Sequence, residues 1–207
     1  MVEIFISALV IYLVIIDPVG VSVIFTALTD DLTKRQKVQI AFESVFVASL
    51  ILIIFALFGT WLLDYLSISF SSFKISGGII LLIVSLDMLS NKRQLRKREI
   101  TSEKPEQDSQ SSISIVPLAM PMIAGPAAIA SVMVVSANAG ANTQALLLNY
   151  AALLLVMCIT LLSLISMVFI GQYMNHKISD VFARITAIIL AALSVQYIID
   201  GLKETLF

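Results

Sequence analysis

From residue 109 to residue 176 the chain carries no Asp, Glu, Lys or Arg. A helix on the surface of a water-soluble domain shows a charged or polar face within a few turns. At about 1.5 Å rise per residue and about 30 Å of hydrocarbon, so long a run must hold two membrane-crossing helices joined by a turn. The polar cluster Asn138, Gly140, Asn142, Thr143 and Gln144 supplies that turn.

The remainder reads the same way. Charged residues make up 13% of the 207, against roughly a quarter in a soluble domain. Six apolar segments emerge, at about 4–28, 38–63, 70–89, 113–137, 145–170 and 181–199. In lipid each backbone polar group must pair within its own segment, so these are expected to be helices and the fold all-α. The first segment has no basic leader and ends in Ile16, Asp17 and Pro18, so it is read as a retained span rather than a signal peptide. The single Cys158 excludes an intramolecular disulfide framework. A net charge of −1 gives no reason to expect nucleic acid as a partner; the expected partners are the lipid bilayer and a small-molecule substrate. Ala187 and Ala191, four apart, allow close helix packing but define no oligomeric state.

Orientation follows from the basic residues. Lys34, Arg35 and Lys37 lie between segments one and two. Lys92, Arg93, Arg96, Lys97, Arg98 and Lys104 lie between three and four, and Lys177 and Arg184 between five and six or at the start of six. Of the 13 basic residues only Lys74 and Lys203 fall on the other side. The basic side is expected to be cytoplasmic and both termini periplasmic, in a bacterial inner membrane. The 91–112 linker, rich in Ser and Gln, reads as a solvated connection that can also meet anionic lipid.

That linker separates two similar units, 1–90 and 113–207. Pro18 and Pro126 are 108 residues apart. At a shift of 109, Phe73 matches Phe182, Ile79, Ile80 and Leu81 match Ile188, Ile189 and Leu190, and Ser85 matches Ser194. Three spans per unit is an odd number, so the second enters the membrane from the opposite side. Such inverted-topology repeats are typical of secondary transporters.

The first span of each unit is interrupted. Asp17-Pro18-Val19-Gly20 combines a proline, which removes an N–H, with a glycine that weakens the helix again. A carboxylate there is costly in lipid, and that cost points to function. In the second unit Pro117, Pro121, Gly125 and Pro126 fall within one span, and Gly125-Pro126 is expected to unwind it. Half-helix N-termini suit a carboxylate, and unwound carbonyls suit an ammonium or a cation. A zwitterionic amino acid satisfies both. The candidate binding residues are Asp17, Pro18, Val19, Gly20, Ser22, Gly125, Pro126 and Ala127, with Asp17 also the candidate ion-coupling group; Ala124 and Ala128 keep the pocket small.

On these two motifs the chain resembles the MarC family of integral membrane proteins, along its whole length. The family's first motif reads approximately Asn-Pro-(Ile/Val)-Gly with a later proline and Phe; here Asp17 replaces the Asn, Val23 the later proline, and Phe25 is kept. The second, Pro-Leu-Ala-x-Pro-x-x-x-Gly-Pro-Gly, stands at Pro117 through Pro126, with Ala127 for the last glycine. The resemblance implies six spans and transport of small neutral amino acids such as glycine and alanine.

The expected activity is secondary transport by alternating access, coupled to a proton or Na⁺ gradient; no nucleotide-binding motif or cofactor is implied. A passive channel, or an exporter of another small solute, is the alternative. An intramembrane enzyme using Asp17 and Asp87 is a weaker third, without a Gly-x-Ser-x-Gly or His-Glu-x-x-His motif. Glu43, Asp87 and Gln196 are secondary polar candidates, Asp200 and His176 read as surface, and Trp61 and Tyr65 fit an interfacial aromatic belt.

Overall fold

A computed structural model describes residues 2–30, 32–89, 118, 119, 122–140, 142–170 and 176–206. The 91–112 linker, Pro117 and Pro121 lie outside the described residues. Among those described there is no strand. The helices are α1 (Val2–Ile16), α2 (Pro18–Leu28), α3 (Lys34–Tyr65), α4 (Phe70–Leu89), α5 (Pro126–Ala139), α6 (Thr143–Ile170) and α7 (His176–Leu206).

Five stretches are long and apolar enough to cross a membrane: Val2–Thr26, Lys34–Tyr65, Phe70–Leu89, Thr143–Ile170 and Arg184–Leu206. The sixth segment expected from the sequence differs. Its described helix, α5, has 14 residues and is about 21 Å long, short of the roughly 30 Å of hydrocarbon. The reason is local: Gly125 and Pro126 start the helix anew part-way along the apolar run. Helix α4 coincides with its apolar run, 70–89, whereas α3 and α7 extend beyond theirs. Thr33 and Gln36 form a reciprocal capping box that starts α3 four residues before the predicted 38.

The molecule is wrapped around α5. Ala127, Ala128, Ala130, Ser131, Val132, Met133, Val134 and Ser136 of that helix are all buried. Small residues on its neighbours permit the close approach: a Cβ at Gly59 of α3 would stand 2.5 Å from Met133 Cγ, and one at Gly77 of α4 would stand 3.0 Å from Ala130 Cβ. The peripheral helices turn large apolar side chains outward, with Phe46 71% and Leu162 64% exposed. In water such a surface would be untenable; against lipid tails it needs no partner.

Helices α4 and α7 form the closest pair and run antiparallel. Gly78 abuts Ser194 and Ile198, whereas Gly201 abuts Ser71 and Ile75. Lys74, 5% exposed, forms a salt bridge with Glu204 at that same end and lies over the Phe70 ring. The two helices also match in detail at a shift of 109. Leu81 and Leu190 are buried, Ile79 and Ile188 exposed. Ser85 donates to the Leu82 carbonyl at 2.7 Å, and Ser194 to the Ala191 carbonyl at 2.6 Å.

Candidate functional site: two interrupted helices

The first interruption is built from four residues. The Asp17 N–H still donates to the Leu13 carbonyl at 3.1 Å, so α1 is intact up to that point. Asp17 then adopts φ 48° and ψ 66°, the left-handed region, which Asn and Asp visit more readily than other side-chain-bearing residues. Pro18 begins α2, and Asp17 caps it: its Oδ1 accepts the Gly20 N–H at 3.0 Å. Pro18 has no N–H to return to the Val14 carbonyl, and the Gly20 N–H turns away from Ile16. Across the break the helical bonds pass from Asp17 N–H to Leu13 directly to Val21 N–H to Asp17, so the carbonyls of Val14, Ile15 and Ile16 lose their usual helical donors.

Asp17 is 7% exposed, Pro18, Gly20 and Ser22 are buried, and Val19 is exposed. The Ser22 hydroxyl donates to the Pro18 carbonyl. Ser163 of α6 lies 2.8 Å from Ser22 Oγ and 3.3 Å from the same carbonyl. Two hydroxyls from different helices thus converge on the carbonyl just inside the break. Ser163 was not singled out in the sequence, where it is one serine in a leucine-rich run.

The second interruption has no such cap. Before it the chain makes a wide turn in which the Ala124 N–H reaches back five residues to the Ala119 carbonyl, at 2.9 Å. Gly125 precedes α5 in extended conformation, with no side chain to supply a cap, and Pro126 is the first helical residue. The first helical bond is Ile129 N–H to the Gly125 carbonyl, 3.0 Å. Ala127 and Ala128 precede it, and both are buried while Pro126 is exposed.

The interruptions share one interior. Ile16 and Val21 belong to the same packed cluster as Ala124 and Ala128; Val14 and Ala127 belong to the adjoining one. A further polar chain crosses this interior. Tyr12 of α1 donates to Asn149 Oδ1 of α6 at 2.5 Å, and Asn149 Nδ2 donates to Ser136 of α5 at 3.0 Å. Asn149, an amide buried within an apolar span, is the one member that sequence reasoning could have found. The secondary candidates sit elsewhere. Glu43 accepts from Gln39 one turn away, and Gln196 donates to Asp200, each pair along its own helix.

The sequence pattern described as MarC family integral membrane protein matches residues 2–206. The chain belongs to the MarC family. Its relatives include a UPF0056 membrane protein of Archaeoglobus fulgidus, 38% identical over 195 residues, covering 93% of this chain and 89% of that one. Another, from Methanocaldococcus jannaschii, is 34% identical over 194 residues, covering 93% and 92%. A third, from Buchnera aphidicola subsp. Acyrthosiphon pisum, is 30% identical over 190 residues, covering 91% and 86%. No solved structure matches the chain. This MarC protein is therefore an integral, multi-pass membrane protein with relatives in archaea and bacteria.

Proposed function

We propose that this MarC protein is a secondary transporter that carries a small zwitterionic solute, such as glycine or alanine, at the two interrupted helices. The observation that carries the reading is the pair of proline-initiated helices, α2 and α5, starting 108 residues apart inside one packed interior. Discontinuous helices at corresponding positions are where transporters of this architecture bind their solute. Asp17, Pro18, Val19, Gly20 and Ser22 contribute one wall, with carbonyls and a carboxylate suited to an ammonium. Gly125, Pro126 and Ala127 contribute the other, with the N-terminus of α5 suited to a carboxylate.

The rest of the reading is built on the same pairing. Units 1–90 and 113–207 act as inverted repeats of three crossings each, α5 with the turn before it completing the fourth crossing. The matched burial and hydrogen bonds of α4 and α7, and their antiparallel packing, support this. Rocking of one unit against the other gives alternating access, driven by a proton or Na⁺ gradient through Asp17. The basic 91–112 linker faces the cytoplasm, and both termini face outward.

Uptake of radiolabelled glycine and L-alanine into proteoliposomes tests the proposal. Saturable uptake that follows an imposed proton or Na⁺ gradient is expected, and Asp17→Asn is expected to bind solute but lose the coupling. Absence of uptake with either ion, from protein that is folded, would overturn the small-amino-acid reading. Unsaturable flux far above carrier turnover would replace it with a channel.

A further inference from the structure

The broken helix of the first unit is pinned to α6 of the second at two points, one on each side of the break. On the α1 side the Tyr12 phenol, 1% exposed, donates to Asn149 Oδ1, and Asn149 Nδ2 donates to Ser136. On the α2 side the Ser22 and Ser163 hydroxyls stand 2.8 Å apart. Tyr12 is five residues before Asp17 and Ser22 five after it, while Asn149 and Ser163 are 14 apart on the unbroken α6. Those 14 residues are about 21 Å of helix. Across the break the helical bonds meet only at Asp17, through its N–H and its carbonyl. A helix interrupted in this way can tilt its two halves separately.

Both bridges can part along the boundary between the units at little cost to the groups that make them. Ser22 already donates to the Pro18 carbonyl of its own helix. Ser163, once released, can turn to the carbonyl one turn back in α6, as Ser166 does to Leu162 at 2.7 Å. Asn149 keeps Ser136, which belongs to its own unit. The Tyr12 hydroxyl loses its acceptor, and an opening on that side admits the water that takes its place. On the α2 side, Thr26 and Thr29 follow Ser22 by one and two turns on one face of the helix. Each donates to the carbonyl four residues earlier, so the face uncovered by a tilt of α2 carries hydroxyls. The contact of α4 with α7 is of the opposite kind. Parting Lys74 from Glu204 would leave a buried ammonium without its counter-ion, a cost that keeps those two helices together.

We propose that the Tyr12–Asn149 and Ser22–Ser163 bridges are the two gates of the transport site, and that these four are positioning residues which decide the side to which it opens. Both gates are closed in this structure. Tilting of α1 away from α6 about Asp17 opens the site on the side of the chain termini. Tilting of α2 away from α6 opens it on the side of the 91–112 linker. The α4–α7 pair stays joined and serves as the pivot. The assignment rests on the proposed transport site and adds to it the segments that move and the hydrogen bonds that must break.

The test uses the full-length protein with Cys158→Ser and one reporter, Ala128→Cys or, in a second series, Ala124→Cys. Both alanines are buried in the cluster that the interruptions share. A membrane-impermeant maleimide is applied from outside to intact cells and from inside to inverted vesicles. The gate variants are Tyr12→Phe and Ser163→Ala, each of which removes one hydroxyl and nothing else. Tyr12→Phe is expected to raise the labelling rate from the side of the termini about three- to tenfold, as loss of one hydrogen bond shifts a two-state equilibrium, and to leave the other side unchanged. Ser163→Ala is expected to do the converse, and the two together to raise both rates. A rise from both sides in either single variant marks its hydroxyl as merely structural and overturns the proposal. So does the absence of any rise in both reporters. Glycine uptake that proceeds while neither variant shifts the labelling removes the gates and leaves the transporter standing. Side-specific labelling in a protein that transports neither glycine nor alanine upholds the gates and removes the solute.

Discussion

Asp17 does two structural jobs that its charge conceals. It adopts the left-handed conformation that separates α1 from α2, and it caps α2 through Gly20. Asn does both equally well, since it tolerates φ > 0 and offers the same oxygen. That explains in physical terms why the family pattern and this chain can differ there without a change of fold. Asp17→Asn is expected to keep its apparent melting temperature in detergent. Asp17→Ala loses the cap and strains the backbone, and is expected to cost about 2 kcal/mol; thermal unfolding of the two side by side checks this. The interruption itself was legible in the sequence, because proline and glycine act through the local backbone. Its hydroxyl partners were not. Ser163 meets Ser22 across 141 residues, and Tyr12 meets Asn149 across 137; no local period records which serine of an apolar helix faces inward.

Helix boundaries show the same division. The apolar runs located the hydrocarbon-facing lengths, but α3 and α7 extend past them because hydrophobicity marks where lipid ends rather than where the helix does. The true starts are marked by capping side chains instead: Thr33 with Gln36 at α3, Ser69 at α4 and Asn142 at α6. At α5 the apolar run gave one crossing, whereas the described helix is the part that follows Gly125. The packing of α4 on α7 depends on having no side chain at particular points. A methyl at Gly78 would meet the Ser194 carbonyl oxygen at 2.8 Å and Ile198 Cγ1 at 2.7 Å. Gly78→Ala must push the helices apart, with an expected loss of about 1–3 kcal/mol. Gly59→Ala meets only the flexible Met133 side chain, which can rotate aside, so its loss is expected to be smaller. Denaturation midpoints of the two variants, measured in the same detergent, test that order.

The arrangement of the chain across the bilayer can be checked without knowing the solute. Single cysteines placed near residue 2, near residue 206 and within 91–112 are expected to divide into two groups toward a membrane-impermeant maleimide on intact cells. The first two should react and the third should not; Cys158, the one native thiol, is replaced beforehand. All three reacting alike would refute the orientation read from the basic residues. The correspondence of Pro18 with Pro126, and of α4 with α7 at a shift of 109, was visible in the sequence. The antiparallel contact that joins those two helices emerged only in three dimensions.

That contact also bears on how the protein is made. Lys74 is buried in the finished molecule, and the carboxylate that neutralises it, Glu204, is 130 residues further along. During synthesis the cation reaches the membrane long before its counter-ion has left the ribosome. Until then α4 carries a charge that apolar surroundings reject, so it must wait at the lipid headgroups or in the insertion machinery. The closing of α7 onto α4 is therefore a late event of biogenesis. A nascent chain stopped a few residues early would leave Lys74 without that carboxylate, a mark by which a membrane protease could recognise it as unfinished.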